Sequence, residues 1–308
     1  MKLHQLRDFV AVASTGSLRA AARRLNLTQP SLTKSIGLLE KELGYSLFER
    51  HARGAVLSVA GRSFLPRAEA VLNELDRGVA ELKHLGGTGG YVNMAVSAAV
   101  SLTALPGALK EFRKKFPDAN VRVISAGYTV AFNELRAGAI DFCLGRRPSG
   151  ALSEEFSVQH IFTNTRSVIC RKDHPMRNST SLSDLLDAGW LVSGATGLAS
   201  DEHDQIFMSL GLPVPKSIVQ CEYPTALVGL LAGTDMLSIM PRQYADAEVL
   251  GGLFVEIPIE EKLPGAEIVL IQKAGMPLTP AAEYMLTVLL RHIEYHRVLR
   301  SRAAAPST

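Results

Sequence analysis

The sequence predicts an α/β protein in three parts: a basic cluster of short helices, one long helix, and a larger region where strands and helices alternate. Three observations carry this reading. In residues 28–43, Leu32, Ile36, Leu39 and Leu43 recur at steps of four, three and four, the spacing of one buried helix face. Residues 1–58 hold nine Lys and Arg against four Asp and Glu, a net +5; the whole chain is +3, so residues 59–308 carry −2. The run GGTGG at 86–90 has almost no side chains to pack and reads as a hinge ahead of the alternating region.

Residues 3–15 predict the first helix, with Leu3, Leu6, Val10 and Ala13 inward and Gly16 as its stop. Ser17 is suited to cap a shorter helix over 18–25, where Ala20, Ala21 and Ala22 let a second helix approach closely. Asn26 and Leu27 leave only a tight turn before Thr28, a good N-cap, and Pro30 is tolerated in the first turn of the next helix. Gly44 ends that helix, and Leu47 and Phe48 return to the core.

The face opposite Leu32 carries Gln29, Ser31, Thr33 and Lys34. Helix, tight turn and a second helix with a polar, basic leading end form a helix-turn-helix, whose second helix fits the major groove of B-DNA. Two such helices alone are more often plain packing; the local charge turns the reading towards double-stranded DNA. Gln29 and Thr33 are the candidates for base edges, glutamine matching adenine N6 and N7, while Lys34 suits guanine or phosphate equally. Gly37 sits mid-helix at a cost of roughly 1 kcal/mol relative to alanine.

The run QLRDFVAVASTGSLRAAARRLNLTQPSLTKSIGLLEKELGYSLFER followed by RGAVLSVAG, within residues 3–61, resembles the LysR-type transcriptional regulators. The order of elements matches over the whole chain, although Lys34 stands where arginine is frequent in the family. The resemblance implies a winged helix-turn-helix in residues 1–58, a linker and dimerisation helix in 59–86, and a two-lobed, periplasmic-binding-protein-like α/β effector domain in 87–308. Residues 51–59, turned at Gly54, then form the wing, with Arg53 in the adjacent minor groove and Arg50 on the phosphates.

The long helix spans 58–85. Ala68, Val71, Leu75, Val79, Leu82 and Leu85 lie three or four apart, close to a heptad seam for a second copy of the chain. Pro66 should kink this helix or delay its regular start, and Gly78 weakens the seam. A single amphipathic helix lying on its own domain would show the same spacing; the resemblance implies instead a homo-oligomer, a dimer or a tetramer built as a dimer of dimers.

Beyond the glycines, strands are expected at 92–96, 121–125 and 140–145 with helices at 102–116 and 130–137, then strands at 167–171, 190–193, 218–221 and 237–240 with helices at 182–187, 201–210 and 225–232. Such alternation predicts parallel sheets covered by helices. In the family the second lobe is inserted into the first, which places lobe I at about 91–162 and 267–298 and lobe II at about 163–266. Crossings then fall near 162–166 and 263–267, with a helix at 280–297 returning to lobe I and a disordered tail from 301.

Ligands of α/β lobes bind beyond the carboxyl ends of the strands. Those ends supply Ser97, Ala98 and Ser101, then Gly127, Tyr128 and Thr129, then Gly145 and Arg146, with Ser193, Gly194 and Thr196 facing them. Ser97 and Ser101 read either as plain helix caps or as hydroxyls holding a carboxylate or sulfonate; Arg146 reads as a surface residue or as an anion partner. Tyr128, Phe132 and Tyr223 are candidate aromatic walls. The expected effector is a small organic acid, aromatic acids included; the resemblance implies that closure of the two lobes on it shifts the arrangement of subunits in a tetramer, which requires the effector to favour one lobe arrangement.

Composition bounds the rest. The 308 residues are 47% hydrophobic and 20% charged, as in a globular protein. Cys143, Cys170 and Cys221 are distant and odd in number, which favours reduced, buried thiols over disulfides or zinc. The N-terminus lacks a signal-peptide pattern and the most apolar stretch, 91–109, is interrupted by polar residues, so a cytoplasmic protein without a membrane span is expected. His160, His174 and His203 are scattered and read as surface residues. With no GxSxG, HExxH or strand-bound GxGxxG, no catalytic residue, metal or cofactor is expected. The rival reading is a two-lobed solute-binding protein or enzyme that would not need residues 1–58.

Overall fold

The computed structural model describes residues 1–51, 54–83, 89–125, 128–148, 150, 152–193 and 198–303. Its first three helices start and stop on their caps. Helix α1 (Leu3–Thr15) ends at Gly16 with φ of 63°. Ser17 opens α2 (Leu18–Arg24) by accepting the Ala20 N–H. Asn26 turns the chain at φ of 55°, a left-handed conformation that asparagine tolerates better than most residues. Thr28 accepts the Ser31 N–H at the head of α3 (Gln29–Leu43), and Gly44 closes it at φ of 75°.

Leu32, Ile36 and Leu39 pack with Leu6, Phe9, Val12 and Ala21 into one core. Burying each large side chain contributes roughly 1.5–3 kcal/mol. Within this core the Ser35 hydroxyl donates to the Asp8 carboxylate, a buried polar tie between α3 and α1. A hairpin follows, β1 (Phe48–His51) antiparallel to β2 (Gly54–Leu57). Glu40 positions it by accepting the Leu47 and Phe48 N–H groups at 2.7 and 3.2 Å. Gly54 is required there: a Cβ at its φ of 140° would lie 2.6 Å from the Gly16 carbonyl oxygen, which accepts the Ala55 N–H at 3.0 Å.

Helix α4 (Val59–Lys83) is continuous through Pro66, so the expected delay in its start is not observed. Ala68 is buried in the N-terminal core and does not belong to the exposed seam; Val71, Leu75, Val79 and Leu82 are exposed along the helix. Leu85 lies outside the described residues.

The first sheet contains β3 (Tyr91–Val96), β4 (Asn120–Ser125), β5 (Phe142–Arg146), β6 (Phe156–Asn164) and β12 (Ala266–Lys273), in the order β4-β3-β5-β12-β6. Helices α5 (Ala98–Leu102), α6 (Ala104–Lys115), α7 (Tyr128–Arg136) and α11 (Pro280–Ala303) accompany it. The second sheet, order β11-β7-β10-β8-β9, contains β7 (Arg166–Arg171), β8 (Gly189–Ser193), β9 (Ile218–Cys221), β10 (Met236–Pro241) and β11 (Phe254–Glu256), with α8 (Leu198–Ser209), α9 (Pro224–Gly233) and α10 (Gln243–Asp246).

Both sheets are mixed, against the parallel expectation. Strands β3, β4 and β5 are parallel, but β12 runs antiparallel to β5 and β6; β8, β9 and β10 are parallel, while β7 opposes β10 and β11. Strand β6 passes to β7 across Thr165 alone, and with that residue the chain crosses from the first sheet to the second. The helix expected over 102–116 is α6, and the five-residue α5 ahead of it was not expected; the two part at Thr103, whose hydroxyl donates back to the Ala99 carbonyl at 2.7 Å. The helix expected at 182–187 is one 3-10 turn, Leu182–Leu185, and α11 runs to Ala303, into the segment expected to be disordered.

One core packs Met94, Phe112, Phe142, Leu144 and Met285 beside the first sheet; another gathers Trp190, Phe207, Leu182 and Leu237 beside the second. All three cysteines are buried free thiols, and burial pushes Cys143 up to about 12. Among the described residues no helix is long and apolar enough to cross a membrane.

Candidate nucleic-acid interface and ligand cleft

Gln29, Ser31 and Lys34 are exposed at the head of α3, and Thr33 is half-buried beside them. The caps at Thr28 and Asn26 hold this end in place: the Leu27 N–H donates to the Ala22 carbonyl at 2.9 Å and the Leu32 N–H to Thr28 at 3.1 Å. Arg19, Arg23 and Arg24 are exposed on α2, with Arg24 donating to the Ser14 hydroxyl at 3.1 Å. Arg50 lies in β1, its backbone opposite Ala55, and Arg53 lies outside the described residues.

A cavity of about 230 Å³ opens between the two sheets. Ser97, Ala98, Arg146 and Ser193 line it, as the strand-end argument expects. Ser97 caps α5 by accepting the Val100 N–H at 3.5 Å, and its own N–H donates to Leu144 at 2.8 Å. Ser101 does not line the cavity: it sits one turn along α5, a helix of only five residues, and is carried away from the cleft. Tyr128 and Thr129 head α7, and Gly145 lies in β5 without lining the cavity. Gly127, Gly194 and Thr196 are outside the described residues.

The aromatic walls differ from expectation. Phe132 packs edge-on against Phe156 in a satellite core, and Tyr223 is exposed away from the cleft. Tyr244, from the short α10, lines it instead, its hydroxyl pushed to a higher pKa by burial.

Arg166 was not legible from the sequence. It is the first residue of β7, its side chain is 9% exposed, and it lines the cavity with Arg146. Both reach one carboxylate: Arg146 engages the two oxygens of Glu202 through its two terminal nitrogens, and Arg166 Nη2 donates to Glu202 Oε1 at 2.7 Å. Nearby, Gln243 donates to Asn164 at 2.7 Å, both side chains buried.

Two of the three histidines expected at the surface are buried. His174 accepts the Met176 N–H at Nδ1, 3.0 Å, and faces the Asp235 carbonyl with Nε2, 3.0 Å, a fully structural pairing. His203 lines the cleft, packs edge-on against Trp190 at 5.4 Å, and has Nδ1 3.3 Å from Asp204. Burial drives its pKa below the usual histidine value, a shift that Asp204 opposes. Neither belongs to a metal set: among the described residues no group of three or more His, Cys, Asp or Glu is placed to hold an ion.

A larger cavity, about 1010 Å³, lies between α4 and the first lobe and takes no residue from the second sheet. The interlobe cleft is the better candidate for an effector, because both lobes build it and two guanidinium groups converge there. Its volume, below the roughly 300–1,000 Å³ of drug-sized sites, restricts it to a small molecule.

Residues 85–294 match the family model described as LysR substrate binding domain, and residues 3–62 match that of the bacterial regulatory helix-turn-helix protein, lysR family. The chain belongs to the LysR family. It is 26% identical to the HTH-type transcriptional regulator GbpR of Azospirillum brasilense over 293 residues, covering 94% of this chain and 86% of GbpR. The crystal structure of CbnR, a LysR family transcriptional regulator, shares the fold at a TM-score of 0.68 with 23% identity, over 95% of this chain and 99% of CbnR. Full-length CbnR complexed with its target DNA aligns at 0.67, again with 23% identity, over 95% of this chain and 100% of that one. A LysR chain of this kind is a DNA-binding transcriptional regulator with an effector-binding domain. GbpR and CbnR are both named as transcriptional regulators.

Proposed function

We propose that this LysR regulator works in the cytoplasm and responds to a small organic acid held between its two lobes. The observation that carries this reading is the convergence of Arg146 and Arg166 on one small cavity, with the Ser97 and Ser193 side chains beside them. Paired guanidinium groups favour a planar carboxylate through charge-assisted, two-pronged hydrogen bonds. Bound acid then biases the relative position of the lobes, and through it the DNA-bound oligomer.

In this reading residues 1–58 bind DNA, 59–86 dimerise and 87–308 sense the effector. Gln29 and Thr33 read base edges, Ser31 and Lys34 support them, and Arg50 and Arg53 hold phosphate and minor groove. Exposure of Gln29, Ser31 and Lys34 on the capped end of α3 supports this division. Val71, Leu75, Val79 and Leu82, exposed at steps of four, four and three, support pairing of α4 with a second copy, in a dimer or a dimer of dimers.

The test is a thermal-shift screen of the full-length protein against small carboxylates and sulfonates, aromatic ones included, with the matching neutral amides as controls. A binding acid raises the melting temperature, and Arg146→Ala or Arg166→Ala abolishes the shift. Equal shifts from acids and amides, or shifts that survive both substitutions, defeat the reading.

A further inference from the structure

We propose that Glu202 is a tethered stand-in for the effector's acid group: its carboxylate occupies the Arg146 and Arg166 site, and an incoming acid acts by exchanging with it. The proposal rests on the acid-effector reading and adds how that site is held before ligand arrives.

The geometry is that of a bound carboxylate. Glu202 takes a two-pronged contact from Arg146 and a third hydrogen bond, 2.7 Å, from Arg166. These are the donors that the proposed ligand needs, so ligand and Glu202 compete for the same nitrogens. Two guanidinium groups against one carboxylate leave the cluster at +1, and a second carboxylate beside Glu202 would place like charges at close range in a partly buried site. Exchange avoids that cost. The scarcely exposed Arg166 then faces one carboxylate in either state, whether from the chain or from the ligand.

Exchange also has a mechanical consequence. Arg146 ends β5 in the first lobe, Glu202 lies in α8 of the second, and Arg166 begins β7 just after the chain crosses between them. Without ligand, therefore, an ion pair within the chain ties the lobes together. With ligand the same arginines hold a molecule that is free of α8: the tie then runs from β5 through the ligand to β7, and α8 is released to take up a different position. Differential contact of this sort is what a ligand needs in order to shift a conformational equilibrium.

The test uses acetate as a minimal carboxylate on full-length Glu202→Ala, with chloride at matched ionic strength as control. Removing a competitor that occupies the site nine-tenths of the time or more tightens apparent affinity by roughly tenfold or more. Acetate is therefore expected to restore the melting temperature of Glu202→Ala at concentrations that leave wild type unmoved, and to fail when Arg146→Ala is added. Glu202→Gln, which keeps the side-chain shape, should also bind acetate more tightly than wild type, and it preserves the test if the alanine variant folds poorly. Equal acetate response in wild type and both variants overturns the exchange while leaving the acid site standing. No response in any of the three removes the acid site and the exchange together.

Discussion

Arg77 of α4 forms an ion pair with Asp141, whose buried carboxylate also accepts the Asn93 N–H at 2.7 Å. One helical turn earlier, Asn73 donates to the Ala137 carbonyl at 2.7 Å. The helix that leaves the DNA-binding part is thus fastened to the first lobe by two contacts on one face, which gives lobe position a direct route to the helix.

Breaking that fastening should be costly. Arg77→Ala takes the guanidinium from a buried carboxylate, and a loss of about 3 kcal/mol is expected, at the low end for a severed buried pair because Arg77 keeps some solvent contact. Arg7 and Asp76, 3.8 Å apart and exposed, are the control: Arg7→Ala should change stability by about 1 kcal/mol or less. Urea denaturation of the two variants measures both, and equal losses would show that burial does not set the strength of the Arg77 pair.

A second buried pair holds α3 against α1. Ser35→Ala leaves the Asp8 carboxylate without this donor, and about 1–3 kcal/mol should be lost from the N-terminal core. Ser31, exposed on the same helix, should tolerate alanine within about 0.5 kcal/mol. Denaturation followed by a probe in residues 1–58 separates them; a Ser35→Ala variant as stable as Ser31→Ala would remove the pair from the account of how α3 is held.

His203 should make stability fall in mild acid. Burial lowers its folded-state pKa below the ordinary histidine value of about 6.5, so near that value the unfolded chain binds more protons than the folded one. The contribution is present above about pH 6.5 and is lost as pH falls, by at most about 1.4 kcal/mol per unit. Melting temperatures measured from about pH 7.5 down to about pH 5.5 should decline in wild type and flatten in His203→Gln. Parallel curves would assign the acid sensitivity to other groups.

Base reading and phosphate anchoring should come apart by mutation. Gln29→Ala is expected to relax sequence preference with a modest change on random DNA, whereas Arg50→Ala should weaken binding to every sequence and lower the salt slope by about one. Titrations on operator and random duplexes at several salt concentrations check this. Equal losses on both DNAs for both variants would end the division of labour.

Local chemistry explains why the N-terminal part was legible. Ser17, Thr28, Gly16 and Gly44 act on backbone groups within four residues of themselves, and the Leu32, Ile36 and Leu39 period needs only one helix to express it. Ser97 at the cleft followed from the same logic, since a strand end and a cap are both local. Ser101 lies outside the cavity lining because α5 carries it one turn beyond Ser97, and Ala68 left the seam because the N-terminal core claims it.

By itself the sequence determined the caps, the polar head of α3, the long helix after the hairpin and the succession of strands and helices, all set by interactions a few residues apart. Tertiary structure alone decided the mixed sheets, the burial of His174 and His203, and the meeting of Arg146, Arg166 and Glu202. Arg146 and Glu202 are 56 positions apart, and Arg166 and Glu202 are 36 apart. Ionic attraction between such residues leaves no period in a sequence; it exists only once the chain has crossed between its lobes and brought them within a few ångströms.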